Sequence, residues 1–418
     1  MSIQNNNSGL RIGLFGFGVV GESLWRVLQE NTSLHAQVVK VCIRHADKPR
    51  KAPANLFTTN ANDLLSDESI NVIVELIDDA DAAYHIVTTA LKNGKAVVSA
   101  NKKLIATHLP TLLALQEEYK TPLLYEAACC ASIPVIRNLE EYYDNDLLQS
   151  VTGIVNGSTN YILSRIAAEG ISFEQALRQA QEKGFAESDP TLDIEGIDAV
   201  NKLSILLLHA YGIIAAPAEL IHAGITRLHP ADARYAKEKG YTIKLVAQAR
   251  KTSKGVAAFV LPQFVPAGDA LAQVHNEYNG VIIESSLADK QFFNGKGAGG
   301  YPTASAVISD ISALRYRYKY EYKKLYYQQP AQLTDDFFLR VYLSFDALYQ
   351  VPHEAFEYIE EWASSDERCA VTGVIHFSKL AGATWWQKKG TSIILLPEPF
   401  DLPQRKRATR INEEWVLN

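Results

Sequence analysis

Cysteine is scarce. The four present are Cys42, Cys129, Cys130 and Cys369, and the adjacent pair cannot readily bridge to each other without strain, so no disulfide framework is visible. A reducing cytoplasm fits this usage, and a cytoplasmic location is expected. Metal-binding spacing is also lacking: the ten histidines form no His-x-His or His-x-x-x-His and the cysteines no Cys-x-x-Cys, which argues against a dedicated zinc or transition-metal centre. Nor is there a basic surplus. The formal net charge of −6 argues against a dedicated nucleic-acid binder, which needs positive charge to meet phosphates. Small anionic ligands stay open, because a local site can be basic on an acidic protein. No apolar run approaches the ~20 residues of a membrane span, and the opening MSIQNNNSGLR is polar, without the apolar stretch of a signal sequence. The expectation is a soluble, unexported protein with no membrane partner.

What is present suits a multidomain globule. A chain of 418 residues, 47% hydrophobic and 21% charged, is long enough for two or three domains and apolar enough to bury a core in each. From Leu10 to Leu28 a short apolar strand is followed by a glycine-rich turn and then by Val20, Leu24, Val27 and Leu28 at helical spacing. Strand-like Val38 to Ile43, Ile70 to Ile77 and Ala96 to Ser99 follow, with helical Ala82 to Lys92 between the last two. This alternation predicts a parallel α/β sheet over residues 1–140. Residues 141–315 mix helices (Ser172 to Lys183, Asp193 to His209) with strands (Lys254 to Val265, Gly280 to Ser286), an α+β domain closed by glycine-rich Asn294 to Pro302. In residues 316–418 a Tyr and Lys stretch, Tyr316 to Tyr327, reads as an interdomain strand. Alternating Leu339, Val341, Leu343 and Phe345, helix-like His353 to Ala363, strand Ala370 to Phe377, helix-like Ser378 to Lys389 and strand Ser392 to Leu396 then form a small separate α+β module.

Gly16-Phe17-Gly18-Val19-Val20-Gly21 fits G-x-G-x-x-G directly after a strand and opening a helix, the context that gives the pattern its meaning. The first glycine permits a tight turn, the second lets backbone approach a pyrophosphate, and the third lets helix and strand pack closely, with the helix N-terminus facing the phosphates. The first domain is therefore expected to be a Rossmann-type NAD(P)-binding unit. At the end of the next strand an acid would hold a ribose 2′-hydroxyl. Arg44 stands there instead, with Lys48 and Arg50 nearby, which suits a 2′-phosphate and so favours NADP; Asp47 keeps NAD open.

Between Ala180 and Lys202 the chain carries Glu187, Asp189, Asp193, Asp198 and Lys202 among apolar residues. In a helix Asp198 and Lys202 are four apart and share a face. On residue types alone the plainer reading, a solvated helix face with an ion pair worth ~0.3–0.5 kcal/mol, is the stronger.

The same segment resembles the signature of homoserine dehydrogenase at every fixed position: Ala180, Gly184, Phe185, Ala186, Asp189, Pro190, Asp193, Ile194, Gly196, Asp198 and Lys202. The glycine fingerprint, Val97 to Lys103 and Gly295 to Val307 agree in order, so the resemblance spans residues 10–315. With the fingerprint so near the N-terminus, the monofunctional form, without an aspartate kinase domain, is expected. The resemblance implies an oxidoreductase that interconverts L-aspartate 4-semialdehyde and L-homoserine with NAD(P)H, on the branch to threonine, methionine and isoleucine. It further implies a homodimer or higher homo-oligomer built on the middle domain, whose end packs back on the first. Lys202 matches the family's proton donor and Lys102 its lysine beside the nicotinamide, while Asp198 orients Lys202. Glu187 and Asp193 match acids that meet the substrate ammonium. Gly157, Ser158 and Gly184 match substrate-contacting turns, the first two readable equally as a β-turn entering a helix, and Gly297 falls on the cofactor. Neighbouring Lys103 points elsewhere.

Departures from the family pattern are local. Glu126, Cys129, Ala131 and Ile133 occupy sodium-liganding positions, largely through main-chain carbonyls, but glycines usual in that loop are replaced, which can block the backbone angles required. Asp78-Asp79 replaces a usual Gly-Gly, and nothing in the sequence explains it. The C-terminal module resembles a shortened, degenerate ACT-type unit. Its turn Ser344 to Pro352 has no glycine where backbone must approach an effector, so a structural or subunit-contact role is expected. Two competing readings are a noncatalytic NADPH-binding sensor on a dehydrogenase scaffold, and a nucleic-acid binder using the interleaved tyrosines and lysines of Tyr316 to Lys324.

Overall fold

The computed structural model describes residues 9–145, 147–346, 351–364, 368–397 and 400. Its first layer is built from β1 (Leu10–Phe15), β2 (Ala36–Cys42), β3 (Phe57–Thr58), β4 (Val72–Glu75), β5 (Ala96–Ser99) and β6 (Leu123–Leu124). All pair in parallel, in the order β3-β2-β1-β4-β5-β6. A parallel sheet covered on both faces needs no alternation, and Val72, Ile73 and Val74 are consecutive and all buried. Strand order reverses beside β1, which opens a crevice beyond the carboxyl ends of β1 and β4.

The second layer contains β7 (Leu148–Ile154), β8 (Ile221–His222), β9 (Tyr241–Thr252), β10 (Gly255–Pro266), β11 (Tyr278–Ser285), β12 (Asp289–Lys296), β13 (Phe338–Asp346), β14 (Phe356–Ser364), β15 (Arg368–His376) and β16 (Thr391–Leu395). Their order is β12-β11-β7-β9-β10-β16-β13-β15-β14, with β8 also on β10. The C-terminal strands thus continue the sheet of the middle region, through one parallel contact, Gln263 with Leu395.

Between the layers runs the helix Ile197–Tyr211, buried from Asp198 to Tyr211, packed on the helix Lys102–Tyr119 and on β9 and β10. The expected single helix Asp193 to His209 is broken at Gly196, whose φ of +80° stops a short turn, Thr191–Ile194, before the long helix begins. The chain then returns to the first layer, where the helix Gly300–Leu314 packs on the helix Val19–Glu30. A Cβ on Gly300 would meet Ser23 Oγ at 2.5 Å and Val19 O at 3.1 Å, so glycine eases this close approach.

Three further expected elements differ. Helix-like His353 to Ala363 is largely strand β14: register shifts between Phe356 and Tyr358 and between Ile359 and Glu361 destroy the two-residue alternation and leave a spacing that mimics a helix. Helix-like Ser378 to Lys389 is one turn, Ser378–Ala381, ended at Gly382, with a 3₁₀ turn at Trp385–Gln387. Tyr316 to Tyr327, expected as an interdomain strand, is irregular chain with a 3₁₀ turn at Lys323–Tyr326, because Tyr320, Tyr322 and Lys324 find partners inward rather than along a sheet edge. Of the turn Ser344 to Pro352, residues 347–350 lie outside the described residues.

Candidate active site and nucleotide crevice

Each glycine of the fingerprint has its own reason. Gly16 has φ +92° and a Cβ there would meet Leu76 O at 2.7 Å, while one on Gly21 would meet Gly16 O at 2.4 Å. At Gly18 a Cβ would meet nothing within 4 Å. That position is open space above the N-terminus of Val19–Glu30, whose cap supplies no side-chain acceptor to the first amides. A cradle of free amides with a smooth backbone approach fits a pyrophosphate. Phe17 packs edge-on against Phe57 and Trp25 below the turn, and Val20 is half-buried beside it, whereas Val19 is exposed.

Arg44 follows β2 as expected and is exposed, with Nη2 3.3 Å from Asp79 Oδ2. This gives Asp79 a physical account that the sequence lacked: it caps the helix Ala80–Lys92, accepting the Ala82 amide at 3.0 Å, and pairs with Arg44. The Ala82 amide and the Arg44 guanidinium hold its carboxyl below the usual range. Arg50 is turned to its own loop, donating to Lys48 O at 2.7 Å and His45 O at 2.6 Å, and lies over Phe57. Asp47 and Lys48 are exposed.

The catalytic candidates converge on one carboxylate. Lys202 Nζ lies 2.7 Å from Asp198 Oδ2 and Lys102 Nζ 2.9 Å from Oδ1, the latter an ion contact rather than an aligned hydrogen bond. Lys102 is the first residue of its helix, whose cap Asn101 accepts the Leu104 amide at 2.9 Å and donates to Ile77 O at 3.1 Å. Lys103, one residue on, is exposed. Lys202 Nζ also donates to Val155 O at 2.6 Å. Burial opposes charge on Asp198, but the Lys202 and Lys102 ammoniums overcome it and hold the carboxyl far below its ordinary range. Burial likewise opposes charge on Lys202, and Asp198 more than compensates, so the ammonium is favoured. This is a three-membered ion cluster on a buried Asp198–Lys202 pair, with Lys102 reaching in from a part-exposed position, not the solvated face that residue types alone favour.

Asn156 joins the cluster and carries no role in the sequence reading. It caps the helix Gly157–Glu169 by accepting the Thr159 amide at 2.9 Å, and its Nδ2 donates to Asp193 Oδ1 at 2.7 Å and Asp198 Oδ2 at 2.8 Å. An asparagine before Gly-Ser-Thr is a recognisable cap; its second task is invisible without the fold. A Cβ on Gly157 would meet Glu277 O at 2.6 Å, so this glycine lets the helix start against β11. The Ser158 hydroxyl donates to Phe185 O at 2.6 Å. Gly184, φ +74°, and Glu187 are exposed on the loop after Phe173–Glu182, Glu187 with its carbonyl held by Gln181. Gly297 faces buried Asn279, whose side chain a Cβ would strike at 2.1 Å, and Asn279 Nδ2 donates to the same Val155 O at 3.1 Å.

Glycine's backbone angles persist in the loop Glu126 to Ile133 without glycine: Cys130 and Ala131 adopt φ +57° and +39°. The angles that replacement was expected to block are adopted, at a strain of roughly 1 kcal/mol or more per residue. The Glu126 side chain turns inward and accepts the Ile136 and Arg137 amides at 2.9 and 2.8 Å, and burial pushes its carboxyl up to about 8. Cys129 is buried with Sγ 3.8 Å from Lys202 O, and Ile133 is buried. Among the described residues no group of three His, Cys, Asp or Glu side chains is placed to hold a metal ion.

The middle of the tyrosine and lysine stretch is turned inward, while Tyr316, Lys319, Lys323 and Tyr326 are exposed. Tyr320 and Lys324 are buried, Lys324 Nζ donates to Leu139 O and His209 O at 2.5 and 2.6 Å, and Glu140 accepts the Tyr322 amide at 2.6 Å and meets His209 Nδ1 at 2.8 Å. With Tyr318, Tyr320 and Tyr322 packed inward, the interleaved row of stacking aromatics that the nucleic-acid reading needs is not presented to solvent. Among the described residues no helix is long and apolar enough to cross a membrane.

Comparison with known proteins agrees with this geometry. Residues 16–126 match the homoserine dehydrogenase NAD-binding domain family and residues 134–312 the homoserine dehydrogenase family. The homoserine dehydrogenase of Lactococcus lactis is 36% identical over 313 residues, 72% of this chain and 73% of that protein. That of Bacillus subtilis is 33% identical over 314 residues, 73% of this chain and 72% of that protein. The crystal structure of a homoserine dehydrogenase from Thiobacillus denitrificans superposes with a TM-score of 0.83 at 30% identity, covering 93% of this chain and 98% of that one. A hyperthermophilic archaeal homoserine dehydrogenase in complex with NADPH superposes with a TM-score of 0.64 at 25% identity, covering 75% of this chain and 99% of that one. A glycine cradle open only where phosphate must approach, beside two lysines on one buried aspartate, in a sequence with such relatives, has one reading: the chain belongs to the homoserine dehydrogenase family and is an NAD(P)-binding oxidoreductase of aspartate-family amino-acid biosynthesis.

Proposed function

We propose that Lys202 is the proton donor in the reduction of L-aspartate 4-semialdehyde to L-homoserine, with Lys102 as a second cation at the reacting oxygen and Asp198 as the carboxylate that orients Lys202 and keeps it charged. The observation that carries this is the double contact of the two ammoniums, at 2.7 and 2.9 Å, with one buried carboxylate. An ammonium has three N–H donors. Lys202 gives one to Asp198 and one to Val155 O, which leaves one for an oxygen that gains negative charge in the transition state. When bound, the reduced nicotinamide supplies the hydride. Gly16, Gly18 and Gly21 would hold its pyrophosphate, with Phe17, Val19 and Val20 in the same turn, Gly297 across from it, and Arg44 on a 2′-phosphate, so that NADPH is preferred and NADH accepted.

Glu187 and Asp193 would meet the substrate ammonium, and the amides of Gly157 and Ser158, at a helix N-terminus, its carboxylate, with Gly184 shaping the loop. The carbonyls of Glu126, Cys129, Ala131 and Ile133 would hold a monovalent cation such as sodium, a role favoured by the left-handed turn at Cys130 and Ala131. Residues 1–140, 141–315 and 316–418 would serve as nucleotide, catalytic and C-terminal units of a cytoplasmic homodimer or higher homo-oligomer. The C-terminal unit would keep the ACT-like ancestry while serving contact rather than sensing. A noncatalytic sensor needs none of the ion cluster. The deciding experiment follows absorbance with purified protein, aspartate semialdehyde and NADPH or NADH; cofactor binding without turnover would establish the sensor instead.

A further inference from the structure

Arg44 and Asp79 stand on opposite lips of the nucleotide crevice. β2 and β4 flank β1, so the carboxyl ends that Arg44 and Asp79 follow are two strand spacings apart, about 9–10 Å. The arginine side chain crosses that gap and brings Nη2 to 3.3 Å from Asp79 Oδ2. The bridge therefore lies across the carboxyl end of β1, where the glycine turn begins. Its side chains remain 74% and 45% exposed, so a solute anion can exchange into the contact. The two partners are not equally free. Asp79 is fixed as a helix cap by the Ala82 amide, whereas Arg44 sits on an exposed loop and can turn away.

We propose that Asp79 is a selectivity residue for the cofactor: its carboxylate competes with an adenosine 2′-phosphate for Arg44 and so reduces this enzyme's discrimination in favour of NADPH over NADH. The inference rests on the reading that Arg44 meets the 2′-phosphate. NADPH must take the guanidinium from Asp79 and then leave a fixed carboxylate beside a phosphate dianion. NADH brings a ribose hydroxyl, which can donate to the same carboxylate. One residue thus opposes the first cofactor and tolerates the second.

Asp79→Asn tests this, because asparagine caps a helix as well as aspartate and removes only the charge; Asp79→Ser is a second capping variant should the first fold poorly. Dissociation constants for NADPH and NADH are measured by nucleotide fluorescence on the full chain, for the native protein, Asp79→Asn, Arg44→Ala and the double variant. Asp79→Asn is expected to tighten NADPH ~3- to 10-fold while NADH changes less than about twofold, and the gain is expected to vanish when Arg44 is alanine. An unchanged NADPH to NADH ratio in both capping variants overturns the proposal, as does the same gain without Arg44. If Arg44→Ala weakens the two nucleotides equally, the 2′-phosphate reading fails and the proposal with it; if Arg44→Ala is selective against NADPH and Asp79→Asn is silent, only the role of Asp79 fails.

Discussion

Lys202 is buried and almost fully committed, and that fixes what its removal does. Lys202→Met keeps most of the volume and deletes the ammonium, so turnover should fall ~10²- to 10³-fold while NADPH affinity stays near native, because the charge acts on the transition state. Stopped-flow reduction and equilibrium binding check this, and a variant keeping more than half the native rate refutes the assignment. Glu75 makes a different prediction. It is buried at the end of β4, accepts the Ser99 hydroxyl at 2.6 Å and the Ile77 amide at 2.8 Å, and burial lifts its carboxyl from 4.5 to about 7. Between those two values the folded chain keeps a proton that the unfolded chain has lost, so stability falls as pH rises through that window and levels off above it. Glu75→Gln should remove this contribution, on the order of 3 kcal/mol. Urea denaturation of both proteins at pH 5 and pH 8 measures it; a difference independent of pH shows that Glu75 does not titrate there.

Caps tie local elements to chemistry. Asn156 ends the loop after β7, starts a helix and holds two carboxylates, so its two roles can be separated by substitution. Asn156→Ser retains a capping oxygen but has no amide to offer Asp193 and Asp198; it should keep the thermal midpoint close to native and lower kcat, whereas Asn156→Ala should lose about 1 kcal/mol of stability as well. Equal kcat for Asn156→Ser and the native chain would show that the donors do not matter. The same distinction marks what could be read from the sequence. The glycine turn, Asn101 and the Asp198–Lys202 spacing are local, and their consequences lie within a few residues. By contrast, Lys102 meeting Asp198 and Arg44 meeting Asp79 join segments far apart in the chain, and no periodicity encodes them. β14 was hidden for another reason: two register shifts in nine residues erased the alternation that signals a strand.

At the scale of the molecule, the C-terminal strands are an extension of the middle sheet. Phe259 of β10 packs against Phe337, Phe377 and Phe400, so removing residues 334–418 strips away its aromatic partners and bares Phe259 with the neighbouring Ala257 and Leu261. Truncation should therefore produce aggregation or altered assembly, seen by light scattering, and threonine should leave the rate of the full chain essentially unchanged. Strong threonine inhibition that is lost on truncation, with assembly intact, would make this region a sensor. The return of Gly300–Leu314 to the first layer has a consequence for biosynthesis. Helix Val19–Glu30 is made early, yet the surface it buries belongs to residues almost three hundred positions later, and Arg315 reaches back to Ser33 O at 3.1 Å. A ribosome must deliver nearly three quarters of the chain before that wall can close. Until then the emerging nucleotide unit carries an uncovered apolar flank, the state in which a nascent chain most needs a chaperone.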